Sequence, residues 1–189
     1  MEIEEFEFQY SPEVPLRAWR LFRVRRKGDG LVLSAPMYHD PDHPLWPNPV
    51  HEASCTEGHA APAPGCRCGI YGAVAGTADS LPGYVVDTAY ETDPWLYAEI
   101  GCSGRVFVDM RGVRAERGEL LRLALPPGSA LDEAARLLLE KRYGVRVGGS
   151  EIVPNWVTEN VREGGPPRDE RSLALNLDAL DLEASPLTR

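Results

Sequence analysis

The feature that most constrains this chain is a group of cysteine and histidine residues in a segment rich in proline and glycine. Its spacing is Cys55-x3-His59-x6-Cys66-x-Cys68, and thiolates and imidazoles are the ligands that zinc prefers in proteins. Cys66 and Cys68 are two residues apart, so on an extended backbone both thiols face the same side. We therefore predict that these four side chains form a metal site, with structural zinc as the expected ion.

Several alternatives to this ligand set stay open at the level of sequence. Three cysteines and one histidine can also hold a [2Fe-2S] cluster. Without any metal, Cys55 and Cys66 could be buried as small apolar side chains. Cys102 is expected in the core, although it could replace His59 as the fourth ligand. Spacing does not decide whether one of the other histidines joins the cysteines: His39, His43 or His51.

The length of the chain, 189 residues, favours one domain with an appendage. A hydrophobic content of 43% is sufficient for a core. We predict a single domain over residues 1–150 and a C-terminal extension over 151–189 that serves as an interaction tail. Residues 36–70 hold all four histidines and many prolines without hydrophobic periodicity. A loop this long is expected to be functional or tied down, and a bound metal would supply the tie.

Two segments predict antiparallel strands. Residues 16–26 and 31–34 flank the turn Lys27-Gly28-Asp29-Gly30, which indicates a β-hairpin. Residues 95–125 alternate apolar and polar side chains and predict a meander of short strands. The expected turns of this meander are at Gly101-Cys102-Ser103-Gly104, at Arg111-Gly112 and at Arg117-Gly118. The first ten residues are expected to form an edge strand or an arm.

Residues 129–143 predict the main helix. Ser129 is the expected N-cap and Gly144 the C-terminal stop. The side chains expected to face the sheet are Leu131, Ala134, Ala135, Leu138 and Leu139. After this helix we expect a strand within 145–153, a short helix within 154–162 and an apolar–acidic segment at 173–182. The predicted fold class is therefore α+β: an antiparallel β-sheet or meander, one packed helix and a long metal-pinned loop.

The charge of the chain limits its partners. A net charge of −9 and a pI of about 5.0 argue against nucleic-acid binding, which needs a positive face. Residues 17–27 nevertheless carry six cations and no acid. Their arginines form either a solvated outer face or a docking surface for an acidic protein partner. No apolar run is long enough to span a membrane, and acids rather than basic residues follow Met1, so a cytoplasmic location is expected.

Other chemistry is sparse in the sequence. It holds no phosphate loop, no dinucleotide fingerprint and no nucleophile elbow. The first interpretation is thus a non-enzymatic, zinc-stabilised binding or regulatory module, part of a larger assembly. The second is a two-iron redox protein. The third is a metal-dependent hydrolase that uses His39, Asp40, Asp42 and His43, although that cluster is also typical of a proline turn with exposed histidines.

Several motifs resemble those of a family of small bacterial proteins, found mainly in actinobacteria. They are Arg17-Ala18-Trp19-Arg20-Leu21, Cys55, His59-Ala60-Ala61-Pro62, Gly65-Cys66-Arg67-Cys68-Gly69-Ile70-Tyr71, Gly104-Arg105-Val106 and Arg114-Ala115-Glu116. This chain departs from the family pattern at Ala60, where the family has Glu, and at Gly72, where it has Ala. The resemblance covers residues 16–145. It supports the predicted fold and site and implies no activity.

Overall fold

The computed structural model describes residues 5–35, 45–75, 94–110, 112–126, 129 and 131–159. These residues form one sheet of nine strands, two α-helices and a turn of 3₁₀ helix at Ser150–Ile152. The strands are β1 (Phe6–Tyr10), β2 (Leu16–Lys27), β3 (Gly30–Ser34), β4 (Leu45–Trp46), β5 (Val50–Glu52), β6 (Ile70–Gly72), β7 (Trp95–Asp109), β8 (Gly112–Ala124) and β9 (Val147–Gly148). The helices are α1 (Glu133–Tyr143) and α2 (Asn155–Glu159). The predicted α+β class is confirmed.

The sheet follows the order β4-β3-β2-β7-β8-β5. Strand β1 pairs with the C-terminal half of β7, while β6 and β9 pair with β8. All pairs are antiparallel except β8 with β9. The predicted hairpin is confirmed, because Lys27 pairs with Gly30 across the turn between β2 and β3. The prediction of an N-terminal strand is confirmed by β1.

Strands β7 and β8 are longer than the sequence indicated. The chain reverses between Asp109 and Gly112, which pair, but the other two predicted turns are wrong. Gly101 and Gly118 lie inside the strands instead, where a side chain would not fit. A Cβ atom at Gly101 would be 2.9 Å from the ring of Pro15, and one at Gly118 would be 2.8 Å from the ring of Trp46. Each glycine therefore permits a close approach across the sheet surface.

Helix α1 begins later than predicted. The carboxylate of Asp132 accepts a hydrogen bond from the amide of Ala135 at 2.8 Å, so Asp132 and not Ser129 is the N-cap. Gly144 ends the helix in the left-handed conformation, as predicted, with φ +68°. The shift of three residues at the N-terminus changes which side chains can face the sheet.

The buried face of α1 consists of Leu139 and Tyr143, four residues apart. Leu138 was predicted to face the sheet and is 43% exposed, so that prediction is wrong. The reason is the anchoring of Tyr143. Its hydroxyl donates to the carbonyl of Trp46 at 2.7 Å and accepts from the amide of Leu33 at 2.8 Å, which fixes the rotation of the helix over β3 and β4.

The sheet buries apolar side chains on both faces. Along β2, Ala18 and Phe22 belong to the larger core beneath α1, whereas Trp19 and Leu21 belong to a smaller core beneath the C-terminal segment. Alternate residues of a strand point to opposite faces, which accounts for the division. Trp19 also exchanges two backbone hydrogen bonds with Ala73, at 2.8 and 2.7 Å, just after β6. This isolated bridge connects the residue after β6 to β2, although the two strands are not neighbours in the sheet.

The C-terminal part of the described chain agrees with the sequence in outline. The predicted strand within 145–153 is the two-residue β9, and the predicted short helix is α2. The tail segment 173–182 and most of the predicted tail lie outside the described residues. Among the described residues, no helix is both long and apolar enough to cross a membrane.

Candidate metal centre

The cysteine and histidine residues lie in a loop that leaves and rejoins the same edge of the sheet. Glu52, the last residue of β5, pairs with Arg117 of β8, and Ile70, the first residue of β6, pairs with Ala115. Only Glu116 separates the two pairs on β8. Strands β5 and β6 therefore lie one after the other along the same side of β8. Residues 53–69, here named the ligand loop, connect them, and the two ends of this loop are about 7 Å apart along β8.

The ligand loop brings all four predicted side chains together. One potential ligand atom from each of Cys55, His59, Cys66 and Cys68 lies within 4.8 Å of all the others. The Sγ atom of Cys55 is 3.3 Å from Nε2 of His59 and 3.8 Å from Sγ of Cys66. Two sulfurs bound to one tetrahedral zinc ion at about 2.3 Å each are about 3.8 Å apart. The group could thus hold a single metal ion.

Two glycines shape the turns of the ligand loop. Gly58 has φ +83° and donates its amide to the carbonyl of Cys55 at 3.2 Å. Gly65 has φ +71° and precedes Cys66, whose amide bonds the carbonyl of Ala63 at 3.2 Å. Positive φ costs little for glycine and is unfavourable for most other residues. The two turns direct Cys55 and Cys66 toward each other.

The Cys-x-Cys segment is held by an arginine of strand β8. Nη1 of Arg114 donates to the carbonyl of Cys66 and, at 2.9 Å, to the carbonyl of Cys68. On the far side of the same guanidinium, Nε and Nη2 bind the carboxylate of Glu5. The guanidinium also lies 5.2 Å from the ring centre of Phe107. The backbone of the two cysteines is therefore fastened to the sheet.

The imidazole of His59 is oriented by its neighbour. The carbonyl of Ala60 accepts from Nδ1 of His59 at 3.2 Å and from Nη2 of Arg105 at 3.1 Å. With its proton on Nδ1, the ring presents an unprotonated Nε2 toward Cys55. In histidines that ligate a metal, the ring nitrogen that does not bind the metal usually donates to an acceptor such as a backbone carbonyl, which fixes the orientation of the ring.

Hydrogen bonding and burial shift the ionisation of the site in opposite directions. A hydrogen bond from the backbone of Cys68 lowers the pKa of the Cys66 thiol to about 7, with help from its neighbouring side chains. Burial, followed by the interaction with Cys66, raises the pKa of Cys68. The bond to the Ala60 carbonyl raises the pKa of His59. In the metal-free site the Cys66 thiol thus loses its proton more readily than the Cys68 thiol, and the thiolate is the form that binds metal.

Three further groups around the site were not identified from the sequence. Arg105 and Arg114 act through backbone carbonyls, and no spacing rule connects them to the cysteines. Glu57 has a carboxylate that is 72% exposed and lies 3.8 Å from Nε2 of His59. The only sequence signal for the arginines was their presence in motifs of the resembling family.

The alternative ligands lie apart from this group or outside the described residues. Cys102 is fully buried in the larger core, as expected, and burial raises its pKa to about 12. His51 is in β5, with its ring centre 4.9 Å from that of Trp46, and is not a member of the group. The cluster proposed for a hydrolase lies outside the described residues: His39, Asp40, Asp42 and His43.

Fold and site together define an α+β protein with a group of three cysteines and one histidine that could hold a metal ion. Comparison with protein-family models, with curated proteins and with solved structures gave no match. The resemblance to the actinobacterial family therefore stays a prediction. Any function assigned to the chain has to rest on the geometry of the site.

Proposed function

We propose that this protein is a non-enzymatic, zinc-stabilised binding or regulatory module that works as part of a larger assembly in the cytoplasm. The observation that supports it is the convergence of four ligand atoms within 4.8 Å in the ligand loop. Three thiolates and one imidazole, which together fill all four positions around the ion, are typical of structural zinc. A reducing compartment keeps such thiols available to the metal.

The spacing of the four side chains favours one ion over a two-iron cluster. In a [2Fe-2S] cluster the ligands are divided between two irons, so atoms on different irons lie farther apart than those around a single ion. Here all four ligand atoms lie within 4.8 Å of one another, and Sγ of Cys55 is 3.8 Å from Sγ of Cys66 and 3.3 Å from Nε2 of His59. Zinc is thus the cofactor we propose, and [2Fe-2S] is the alternative that a metal analysis would detect.

The ligand loop is mostly exposed, which explains why it would need a metal to be ordered. Within residues 53–69 only Ala61 and Pro62 are buried. So few apolar contacts cannot offset the conformational entropy of ordering the loop. Because metal binding to such a site is coupled to folding, a bound zinc would stabilise a segment that has little core of its own.

The experiment is a metal analysis of the native protein, combined with chelation. We expect one equivalent of zinc, and a strong chelator should lower the melting temperature and make the ligand loop sensitive to protease. Cys68→Ser should abolish stoichiometric zinc binding. Cys102→Ala is the matched control, because it removes a cysteine that lies in the core, and it should retain one equivalent.

The other outcomes separate the remaining functions. Coloured protein whose visible absorbance bleaches on reduction would indicate the two-iron redox protein. A second metal equivalent, lost when His39 and His43 are replaced, would indicate the metal-dependent hydrolase. The zinc proposal would be overturned by protein that contains no stoichiometric metal and in which the chelator changes neither the melting temperature nor the protease sensitivity of the ligand loop.

The proposed partner surface is the exposed end of the first hairpin. Of the six cations in residues 17–27, Arg23 is buried, whereas Arg26 and Lys27 are exposed next to the turn. Arg142 of α1 reaches the same turn, since its Nη1 would be 3.6 Å from a Cβ at Gly30. We name Arg26, Lys27 and Arg142 the basic tip. A local concentration of cations on a chain of net charge −9 favours an acidic protein segment as partner.

A charge-reversal pair tests the basic tip. Arg26→Glu combined with Lys27→Glu should weaken binding of a poly-glutamate peptide, and wild-type binding should weaken as salt is raised. Lys141→Glu with Arg146→Glu makes the same change in net charge at exposed positions outside the tip and outside the ligand loop. Equal weakening by both double variants would show that the peptide responds to net charge alone, and the basic tip would be rejected.

A further inference from the structure

We propose that Arg114 is the positioning residue of the metal site and that, through Glu5, it couples metal occupancy to the docking of strand β1. The inference rests on the proposed function, because it requires that the four ligands bind metal. It goes beyond that function by naming a residue outside the ligand loop that sets the affinity of the site, and by naming the part of the fold that responds.

The guanidinium of Arg114 is committed to two different parts of the chain. Its side chain is 9% exposed, and its three nitrogens all donate hydrogen bonds. Nη1 bonds the carbonyls of Cys66 and Cys68. Nε bonds the Glu5 carboxylate at 3.1 Å, and Nη2 bonds the same oxygen. A planar guanidinium is suited to this arrangement, since its donors point in fixed directions.

The bonds to the two carbonyls determine where the thiols point. One nitrogen atom, Nη1 of Arg114, bonds both carbonyls. These bonds restrict the backbone from Cys66 to Cys68 to conformations in which the two carbonyls converge on the guanidinium. In the conformation observed, the two Sγ atoms also lie within 4.8 Å of each other, as a single metal ion requires. Without Arg114, the ordering of this segment would have to be supplied by the metal itself.

The bond to Glu5 carries the effect to the N-terminal strand. Glu5 directly precedes β1, whose described pairing in the sheet is a five-residue ladder with β7. An arginine held by the ordered Cys66–Cys68 segment offers Glu5 a fixed partner, whereas a disordered segment leaves the arginine less restrained. Coupling of this kind is reciprocal: metal binding stabilises the docking of β1, and the docking of β1 strengthens metal binding.

The test begins with zinc affinity, measured against a competing chelator. Arg114→Gln should weaken zinc binding about 10–100-fold, the usual effect of losing a residue that supports metal ligands. Arg114→Lys should recover only part of the loss, because one ammonium cannot serve the carbonyls and Glu5 together. Glu5→Gln should give a smaller loss than Arg114→Gln.

Arg122→Gln is the matched control. Arg122 is also an arginine of β8 paired with a carboxylate, that of Glu99, but it does not contact the ligand loop. Arg122→Gln should leave zinc affinity within about twofold of wild type. It can lower the stability of the sheet, but it removes no hydrogen bond to the residues that ligate the metal. Cobalt substitution adds a spectroscopic signature. The Co²⁺ absorption bands should change in Arg114→Gln and stay unchanged in Arg122→Gln, since they report the ligand geometry.

Hydrogen exchange tests the coupling. Zinc should slow the exchange of the amides of residues 6–10 in wild type and in Arg122→Gln, and should have no such effect in Arg114→Gln. Zinc affinity and cobalt spectra of Arg114→Gln equal to those of wild type would overturn the positioning role. Slowing of the β1 amides by zinc in Arg114→Gln as in wild type would overturn the coupling. If Arg114→Gln does not fold, Arg114→Lys decides the positioning role, which zinc affinity equal to wild type would overturn. Glu5→Gln then decides the coupling, which slowing of the β1 amides by zinc as in wild type would overturn. A wild type that binds no zinc would instead reject the proposed function.

Discussion

A Cβ atom at Gly69 would lie 3.2 Å from the Cβ of Arg114. The residue that follows the last cysteine must therefore pass very close to strand β8. Gly69 also has φ +127°, a conformation that residues with a side chain rarely adopt. Close approach and backbone conformation both require glycine at this position, where the ligand loop rejoins the sheet.

Gly69→Ala should therefore weaken the ligand loop more than a comparable change elsewhere in it. Gly65→Ala is the comparison, because Gly65 also has a positive φ, +71°, but a Cβ there would meet no atom within 4 Å beyond its chain neighbours. We expect Gly65→Ala to cost about 1–2 kcal/mol of unfolding free energy. Gly69→Ala should cost about 1 kcal/mol more, since its Cβ would also make tight contacts, at 3.2 Å each, with the Cβ atoms of Arg114 and Pro62. Denaturant unfolding with zinc bound measures both; equal costs would show that the close approach to Arg114 has no energetic effect.

Tyr143→Phe tests the attachment of α1 to the sheet. The tyrosine hydroxyl serves the buried amide of Leu33 and the carbonyl of Trp46. The substitution would leave both groups without this partner, so we expect a loss of about 2 kcal/mol or more in unfolding free energy. Zinc stoichiometry should not change, since α1 does not contribute a ligand. A loss below about 0.5 kcal/mol would show that the two bonds do not hold the helix.

Tyr10→Phe also removes a buried tyrosine hydroxyl, but here we expect no loss of stability. Within the part of the chain that the structure describes, the buried hydroxyl of Tyr10 has no hydrogen-bond partner. Burying an unpaired hydroxyl is unfavourable, so its removal should leave the unfolding free energy unchanged or raise it slightly. A loss as large as that of Tyr143→Phe would mean that the Tyr10 hydroxyl is bonded in solution.

The difference between what the sequence predicted and what the structure shows has a physical pattern. The hairpin turn before Gly30 and the helix end at Gly144 depend on local backbone preferences, and both were predicted. The roles of Gly101 and Gly118 depend on Pro15 and Trp46, which are distant in sequence. A glycine that permits tertiary contact and a glycine that forms a turn look the same in a single sequence, so the meander was divided into strands that were too short.

The same distinction applies to the site. The four residues that converge were predicted because metal ligands follow a spacing rule. Arg114 and Arg105 were not, because they contact backbone carbonyls, which every residue has, and because the register of β7 and β8 brings them to the loop. Residues that support a site through the backbone therefore leave little trace in a sequence.

Thiol labelling should separate Cys102 from the other three cysteines. All four are free thiols, but Cys102 is fully buried and its pKa is raised to about 12. At pH 8 its thiolate fraction is on the order of 10⁻⁴, and the thiolate is the reactive form. After chelation, an alkylating reagent should modify Cys55, Cys66 and Cys68 in the native protein and Cys102 only after denaturation. Rapid native labelling of a fourth cysteine, absent in Cys102→Ala, would contradict the buried position.

His51 should make the fold less stable at mildly acidic pH. Burial and the positive charge of Arg20 lower the pKa of His51 below its usual 6.5, against a smaller opposing effect of Glu52. Below about pH 6.5 the unfolded chain binds a proton that the folded chain resists, so stability is complete above that pH and is lost as the pH falls toward the folded pKa. The slope from one such group is at most about 1.4 kcal/mol per pH unit, and less for a side chain that is partly exposed.

Urea unfolding of wild type and His51→Gln in the presence of chelator, between pH 7.5 and 5.5, isolates this effect because the other titrating groups are common to both proteins. The stability difference between them should change in favour of His51→Gln as the pH falls; a difference that stays constant would mean that His51 has the same pKa in both states.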